Sequence, residues 1–388
     1  MIRPLFSAGT SRGGTTFFTR ILSLNEKAKM ASDPCLPLFK KLRNQIYLIN
    51  KISFSNDGPS SDFYFSDEKL KIMELIQETD LKIEFPQEDL PELREDLKQR
   101  MKLGAPELAP YFGNLNGENF IEIFSNCIQT MSEIYKAQDG SWCGFNDNWV
   151  SEYFPLLAKA FPTAKFIGIV RDPRSCITSI TKIKPKKPLF VPPIYSFIRS
   201  WRKHVDFTIY MQSIPLFKDR FYLLQYENVA RDPEGEIKKV CDYLDIVFSK
   251  EMLDTLKFRP LRGDKWQTYS HFKEELPDQG IYADSIDRWK TFLPSEAIEF
   301  IEFACGPELR YLGFNLSCYN SGPLSTKAQA FAESDLNDAK GWKLPMRDIK
   351  TEFNDDLKRY NILKKDGLTT EDIKKNFLFY ETYSVLKN

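Results

Sequence analysis

Phe6-Ser-Ala-Gly-Thr-Ser-Arg-Gly-Gly-Thr-Thr16 decides how the chain is read. An apolar run, Pro4 to Ala8, leads into it, and a helical pattern, Phe17 to Leu24, leads out. Strand, glycine loop and helix in that order make a phosphate cradle. Successive backbone N–H groups turn inward, and the helix N-terminus adds partial positive charge. A plain glycine-rich turn between strand and helix has the same local pattern, so this stretch alone leaves both readings open.

The spacing Gly9 to Gly14 fits the P-loop pattern G-x-x-x-x-G-K-[ST] except at Thr15, where Lys belongs. A nucleoside triphosphatase needs that Lys on the transferred phosphate. Here the cation sits inside the loop, as Arg12. The expectation is a cradle for a phosphate other than that of a nucleoside triphosphate. A second stretch supports it. Lys165-Phe-Ile-Gly-Ile-Val170 is a short apolar run suited to a buried parallel strand. It runs into Arg171-Asp-Pro-Arg-Ser-Cys-Ile-Thr-Ser179. Arg171 then stands at the C-terminal end of a strand, where open α/β sheets bind ligands. Ser179 follows about two helical turns later. An Arg and a hydroxyl converging on one point suit a second, separate phosphate.

Together the two motifs resemble the sulfotransferase family. In that family a loop R-[SG]-G-T-T takes the 5′-phosphosulfate of 3′-phosphoadenosine 5′-phosphosulfate, and a segment R-D-P-R-x-x-x-x-S takes the 3′-phosphate. The resemblance continues through Leu224-Gln-Tyr-Glu-Asn-Val-Ala-Arg-Asp-Pro233 and Tyr282-Ala-Asp-Ser-Ile-Asp-Arg-Trp-Lys290. It covers residues 1–40 and 140–315. It implies an α/β fold, a three-layer α/β/α arrangement around a central parallel sheet of P-loop NTPase-like type. A sulfotransferase domain would occupy residues 1–320, with a helical insertion at 50–140, and a helical C-terminal extension would follow at 321–388. The implied donor is 3′-phosphoadenosine 5′-phosphosulfate, with 3′-phosphoadenosine 5′-phosphate as product. Ser11, Arg12, Gly13, Gly14, Thr15 and Thr16 would hold the 5′ side. Arg171 and Ser179 would hold the 3′-phosphate, with Ser285 and Arg288 in reach of it.

Sulfuryl transfer resembles phosphoryl transfer: in-line attack while charge builds on the leaving oxygen, so positioning and charge neutralisation suffice without a metal. Arg12 is the candidate leaving-group cation. In the protein-tyrosine branch a Lys assists before the second motif. Here Asn146, in Phe145-Asn-Asp-Asn148, stands at that place, which is a departure. The same branch and the glycan branch use a Glu after the second strand as base, and Asp33 falls there, in Ala31-Ser-Asp-Pro34. Asp33 also suits an N-cap, with Pro34 at the first helical position, and the two roles are compatible. His271 is the alternative base, as His serves in the small-molecule branch. His204, inside a helical pattern, reads as structural.

Composition bounds the rest. The chain has 388 residues with 54 basic and 54 acidic side chains, and zero net charge argues against a general nucleic-acid binder. Seven cysteines form no C-x-x-C pair and read as reduced thiols. No apolar run has transmembrane length, and Met1-Ile-Arg-Pro4 enters the first strand without a signal peptide. A soluble, cytoplasmic relative with no membrane contact is expected. The acceptor would be a small-molecule or glycan-like hydroxyl, or an amine or amide nitrogen, with the 50–140 insertion as its lid. Residues 321–388 read as a packed appendage or a homo-oligomer contact. Competing readings are a P-loop kinase or nucleotide hydrolase, and a non-catalytic nucleotide-binding module.

Overall fold

Short apolar runs without polar alternation belong in a sheet buried on both faces, and that is where they lie. Strands β1 (Arg3–Gly9), β2 (Ala28–Ser32), β3 (Trp142–Asn148), β4 (Lys165–Val170) and β5 (Phe221–Gln225) form one parallel sheet in the order β2-β3-β1-β4-β5. The computed structural model describes residues 1–53, 67–182, 194–258, 281, 283–334 and 348–387. These divide into two compact units, and the sheet belongs to the first: Met1–Asn56, Glu74–Val170 and Ile214–Ala283.

Alternate residues of β1 serve opposite faces. Leu5 packs with Phe18, Ile21 and Leu22 of α1 (Thr15–Ser23) and with Ile237, Val240 and Leu244 of α10 (Pro233–Leu244). Phe6 lies 5.2 Å from Phe145 and 5.5 Å from Phe166, ring centre to ring centre. On that face Phe145 meets Phe39 of α2 (Leu36–Ile49), and Phe166 meets Phe154 of α6 (Phe154–Ala160). The first unit is therefore the expected three-layer α/β/α sandwich with a parallel sheet. From β1 the chain moves to β2 and β3 on one side, then crosses to β4 and β5 on the other. The crevice this opens at the C-terminal ends of β1, β3 and β4 is the ligand position of such sheets.

The insertion is helical, as expected: α3 (Asp67–Glu78), α4 (Leu90–Gly104) and α5 (Phe120–Ile134). Pro91 opens α4 at its first turn, where a missing N–H costs nothing. Leu90, Leu93, Leu97 and Met101 form its buried stripe. After β5 a short helix, α9 (Tyr226–Arg231), leads into α10.

The second unit holds 57–73, 171–213 and 284–388. Its helices are α7 (Pro173–Lys182), α8 (Ile194–Ser213), α11 (Trp289–Phe292), α12 (Ser295–Tyr311), α13 (Thr326–Ala332), α14 (Ile349–Leu363), α15 (Thr370–Phe377) and α16 (Tyr380–Lys387). Buried ion pairs knit it together. Arg199 pairs with Glu352, Arg202 with Asp356 at 2.6 Å, Arg359 with Glu308, and Arg174 with Glu302. Thr382 donates to the Asp206 carbonyl at 3.1 Å, and Phe379 stacks on Tyr210 at 3.9 Å. Residues 321–388 are thus packed into this unit through α14 to α16. Among the described residues no helix is long and apolar enough to cross a membrane.

Two buried carboxyls in this unit have opposite electrostatics. Burial pushes Glu302 up, but the N–H groups of Cys318, Ser317 and Tyr319 and the Arg174 guanidinium outweigh it and hold the group below its ordinary range. Asp206 is fully buried with neither carboxyl oxygen hydrogen-bonded, and burial, then the charge of Glu308, pushes it well up. Glu302→Ala is therefore expected to cost about 3 kcal/mol at neutral pH, because it removes one of the two carboxylates on the buried Arg174 guanidinium and strands the N–H groups of Ser317, Cys318 and Tyr319. That loss shrinks as pH falls through the lowered Glu302 value. Asp206→Asn is expected to hold or raise stability at neutral pH, since wild type must there either bury a charge or take up a proton, and the difference closes near pH 4. Denaturant midpoints at both pH values check both; a strongly destabilised Asp206→Asn variant at neutral pH overturns the second.

Candidate active site

The loop between β1 and α1 is shaped by left-handed backbone. Arg12 has φ +65° and Gly14 has φ +88°, and the Gly13 N–H donates to the Thr10 carbonyl at 2.9 Å. Gly14 is forced twice over: a Cβ there would lie 2.3 Å from the Tyr226 ring, which packs on the loop. No side chain caps α1. Its first-turn N–H groups and its partial positive charge are left to face the crevice. Thr10 Oγ1 is buried and makes no hydrogen bond within the protein. An uncapped helix start, a tight glycine turn and an unused buried hydroxyl fit the oxygens of a phosphosulfate.

A chain of hydrogen bonds runs from this loop to the end of β2. Thr15 Oγ1 donates to Asn148 Oδ1 at 3.2 Å. Asn148 Nδ2 donates in turn to Asp33 Oδ1 at 3.0 Å, and the Asn148 backbone N–H reaches the same oxygen at 3.1 Å. Thr16 Oγ1 accepts from Ser32 Oγ at 3.2 Å. Asp33 itself has φ +51°, donates its N–H to the Asn146 carbonyl at 2.7 Å, and keeps a fifth of its side chain exposed. Burial raises its pKa above the ordinary carboxylate value, and the Arg100 charge and the Asn148 N–H only partly oppose that. Arg12 and Ser11 are half-buried on the same loop.

The structure corrects one role. Asp33 does not cap α2. Its positive φ turns the carboxyl toward β3, and the Cys35 N–H at the helix start goes to Asp147 Oδ2 at 2.7 Å. A β3 carboxylate thus does the capping from across the sheet. Burial first, then the charge of Asp33, pushes Asp147 well above the ordinary range. Asn146, set at the family Lys position, is fully buried between Ser32 and Ser7 and accepts from Ser7 Oγ at 3.1 Å. Asn148, which sequence reasoning passed over, is the residue that touches both loop and carboxyl. The signal was present: residues two apart at a strand end share a face.

The remaining candidates lie in the second unit. The Arg171 carbonyl accepts from Trp201 Nε1 at 2.8 Å, which fixes the backbone just past β4. Ser179 is almost buried on α7. Ser175 Oγ donates to the Ile286 carbonyl at 2.8 Å, so the turn with Ser285 and Arg288 lies against the helix carrying Ser179. Arg174 of the same motif faces inward: its Nε and Nη2 lie 3.0 and 2.7 Å from the Asp172 carboxylate, and its guanidinium sits 3.9 Å over Trp289. It is a fold residue. His204 is buried on α8. His271 lies outside the described residues.

Comparison with known proteins agrees with this geometry. Residues 4–250, more than half the chain, match the model of the Sulfotransferase family. Mouse (Mus musculus) sulfotransferase 2A6 is 25% identical over 144 residues, 32% of this chain and 49% of that protein. Zebrafish (Danio rerio) carbohydrate sulfotransferase 1 is 25% identical over 170 residues, 39% of this chain and 38% of that protein. The chain spans about half the length of the first curated relatives it matches. Among solved structures, the sulfotransferase domain of the Synechococcus PCC 7002 olefin synthase is 15% identical, covers 89% of this chain and 96% of its own, and superposes with a TM-score of 0.43. The matched span contains the β1–α1 loop, Asp33, Asn148 and the Arg171 motif, and the chain belongs to the sulfotransferase family.

Proposed function

We propose that the protein moves the sulfuryl group of 3′-phosphoadenosine 5′-phosphosulfate to a hydroxyl, or an amine or amide nitrogen, of a small-molecule or glycan-like acceptor. The observation that carries this reading is the chain Thr15–Asn148–Asp33, which ties the anion-cradling loop to a half-exposed carboxyl. The bound donor would supply an activated sulfuryl group whose departure leaves charge on a phosphate oxygen. Arg12, the loop N–H groups and the Thr10 hydroxyl would hold the 5′ end, and Arg12 would neutralise the leaving oxygen. By the family motif, Arg171 and Ser179 take the 3′-phosphate, with Ser285 and Arg288 beside them.

Asp33 takes the acceptor's proton. Its raised pKa suits a base that must hold a proton briefly near neutral pH. Asn148 fixes the carboxyl with two N–H donors, so little orientation remains to be lost in the transition state. A kinase or nucleotide hydrolase would need a cation where Thr15 instead hydrogen-bonds Asn148. Free thiols at all seven cysteines support a reducing, cytoplasmic compartment. A homo-oligomer through residues 321–388 would use the exposed side that carries Tyr380 and Val385, because the inner side is engaged with α8 and α12.

Two experiments test the reading. 3′-Phosphoadenosine 5′-phosphate should stabilise the protein well beyond AMP, by about 2.7 kcal/mol at a hundred times its Kd, whereas equal thermal shifts for the two nucleotides count against two phosphate sites. Asp33→Asn should bind the bisphosphate normally and slow sulfation about 10²–10⁴-fold at saturating donor. Wild-type turnover should fall as pH drops through the raised Asp33 value, since the base must be ionised. An Asn variant with near-normal turnover removes Asp33 from the mechanism and moves the base to His271.

A further inference from the structure

The insertion touches the candidate base through one side chain. Arg100 of α4 donates from Nε to the Asp33 carbonyl at 2.9 Å, and its Nη2 lies 3.7 Å from Asp33 Oδ1. The last turn of α4 is fixed in place twice more. Arg20 of α1 donates from Nη2 to the Gly104 carbonyl at 3.1 Å. A Cβ on Gly104 would lie 2.2 Å from the Ser32 carbonyl oxygen, so α4 meets the end of β2 backbone to backbone. The helix end, the loop helix α1 and the Asp33 turn are therefore held as one piece.

The charged and titratable groups around the Asp33 carboxyl come from two other elements. Arg100 comes from α4, and Asp147 comes from β3, with the Cys35 and Cys127 thiols on the far side of Asp147. Burial favours a proton on Asp33, and the Asp33 charge in turn pushes Asp147 up. The Arg100 charge opposes the burial of Asp33 first, and the Asn148 N–H adds to it.

We propose that Arg100 is a positioning residue for Asp33: it locks the left-handed turn that aims the carboxyl and sets a cation beside it. The insertion then contributes a fixed wall of the acceptor site at α4. This rests on Asp33 being the base, and it adds a reason why the base works in a half-buried place. Bound to both the carbonyl and the carboxyl of one residue, the guanidinium uses its fork in a way that an ammonium cannot copy. Lys at this position would keep the charge and lose the hold on the turn.

The test compares wild type with Arg100→Met, which keeps the packed stem, and Arg100→Lys. With the cation gone, the acid limb of the kcat/KM profile should move to higher pH by on the order of one unit, and turnover should recover only in part on the alkaline side, because the turn is also no longer held. Arg100→Lys should return the limb toward the wild-type pH while kcat stays reduced, because the turn is no longer held. A second readout does not need activity. The ¹³C carboxyl signal of Asp33, assigned by its loss in Asp33→Asn, should titrate at higher pH in Arg100→Met than in wild type. An equal fall in rate at every pH, with an unmoved Asp33 titration, overturns the proposal and leaves Arg100 as a packing residue. A chain that sulfates no acceptor, yet shows the shifted Asp33 titration, overturns the function and leaves the pairing standing.

Discussion

Burial of β1 on both faces is the constraint on which the first unit depends. A strand with neighbours on each side and helices above and below can carry no polar side chain that lacks a partner. Leu5, Phe6 and Ala8 obey this, and Ser7 is admitted because Asn146 accepts its hydroxyl. Polar chemistry is thereby pushed to the strand ends. At the C-terminal ends the loop after β1, the Asp33 turn after β2 and the polar finish of β3 come together, and their side chains satisfy one another: Thr15 with Asn148, Asn148 with Asp33, Asp147 with the start of α2. The site is the place where the sheet stops being able to exclude polar groups.

Carboxyls near such an edge pose an energetic problem, and the two units resolve it differently. In the first unit Asp33 and Asp147 lie close enough for the charge of one to raise the other, and burial raises both. A carboxyl in that state, with a fifth of its side chain exposed, is a candidate for proton transfer. In the second unit the acids are enclosed with guanidinium groups: Glu302 with Arg174, Glu352 with Arg199, Asp356 with Arg202, Glu308 with Arg359. Those pairs place α7, α8, α12 and α14 in register. Their net contribution to stability is small beside the cost of breaking one, because each ion has already lost its water. They specify an arrangement more than they strengthen it.

What could be read from the sequence follows from the same physics. Buried parallel strands are continuous apolar runs, so β4 was legible to the residue. The strand, glycine turn and helix were legible because Gly9, Arg12, Gly13 and Gly14 stand between such a run and a helical pattern. β3 carries its apolar residues only as far as Phe145, yet it continues to Asn148. Its last three residues, Asn146-Asp147-Asn148, look like loop because they are polar, and they lie at the strand end where polar side chains find partners. Asp33 as a helix cap failed for a reason that no local pattern carries: the cap came from Asp147, more than a hundred residues away. The tail's charges left a packed appendage and a homo-oligomer contact both open. Their burial depends on α8 and α12 supplying arginine and glutamate at matching heights, which is a tertiary fact.

The departure at Asn146 is intelligible in the same terms. Its side chain is enclosed between Ser32 of β2 and Ser7 of β1, where an ammonium group would have to be buried without a carboxylate of its own. A neutral amide accepts the Ser7 hydroxyl there at far lower cost, with its Nδ2 left without a hydrogen bond in the protein. Cation chemistry near the crevice is then carried by guanidinium groups that do not cross the sheet: Arg12 on the loop, and Arg100 arriving from α4. Arg12 stands on the β1–α1 loop, and Arg100 reaches the turn that carries Asp33.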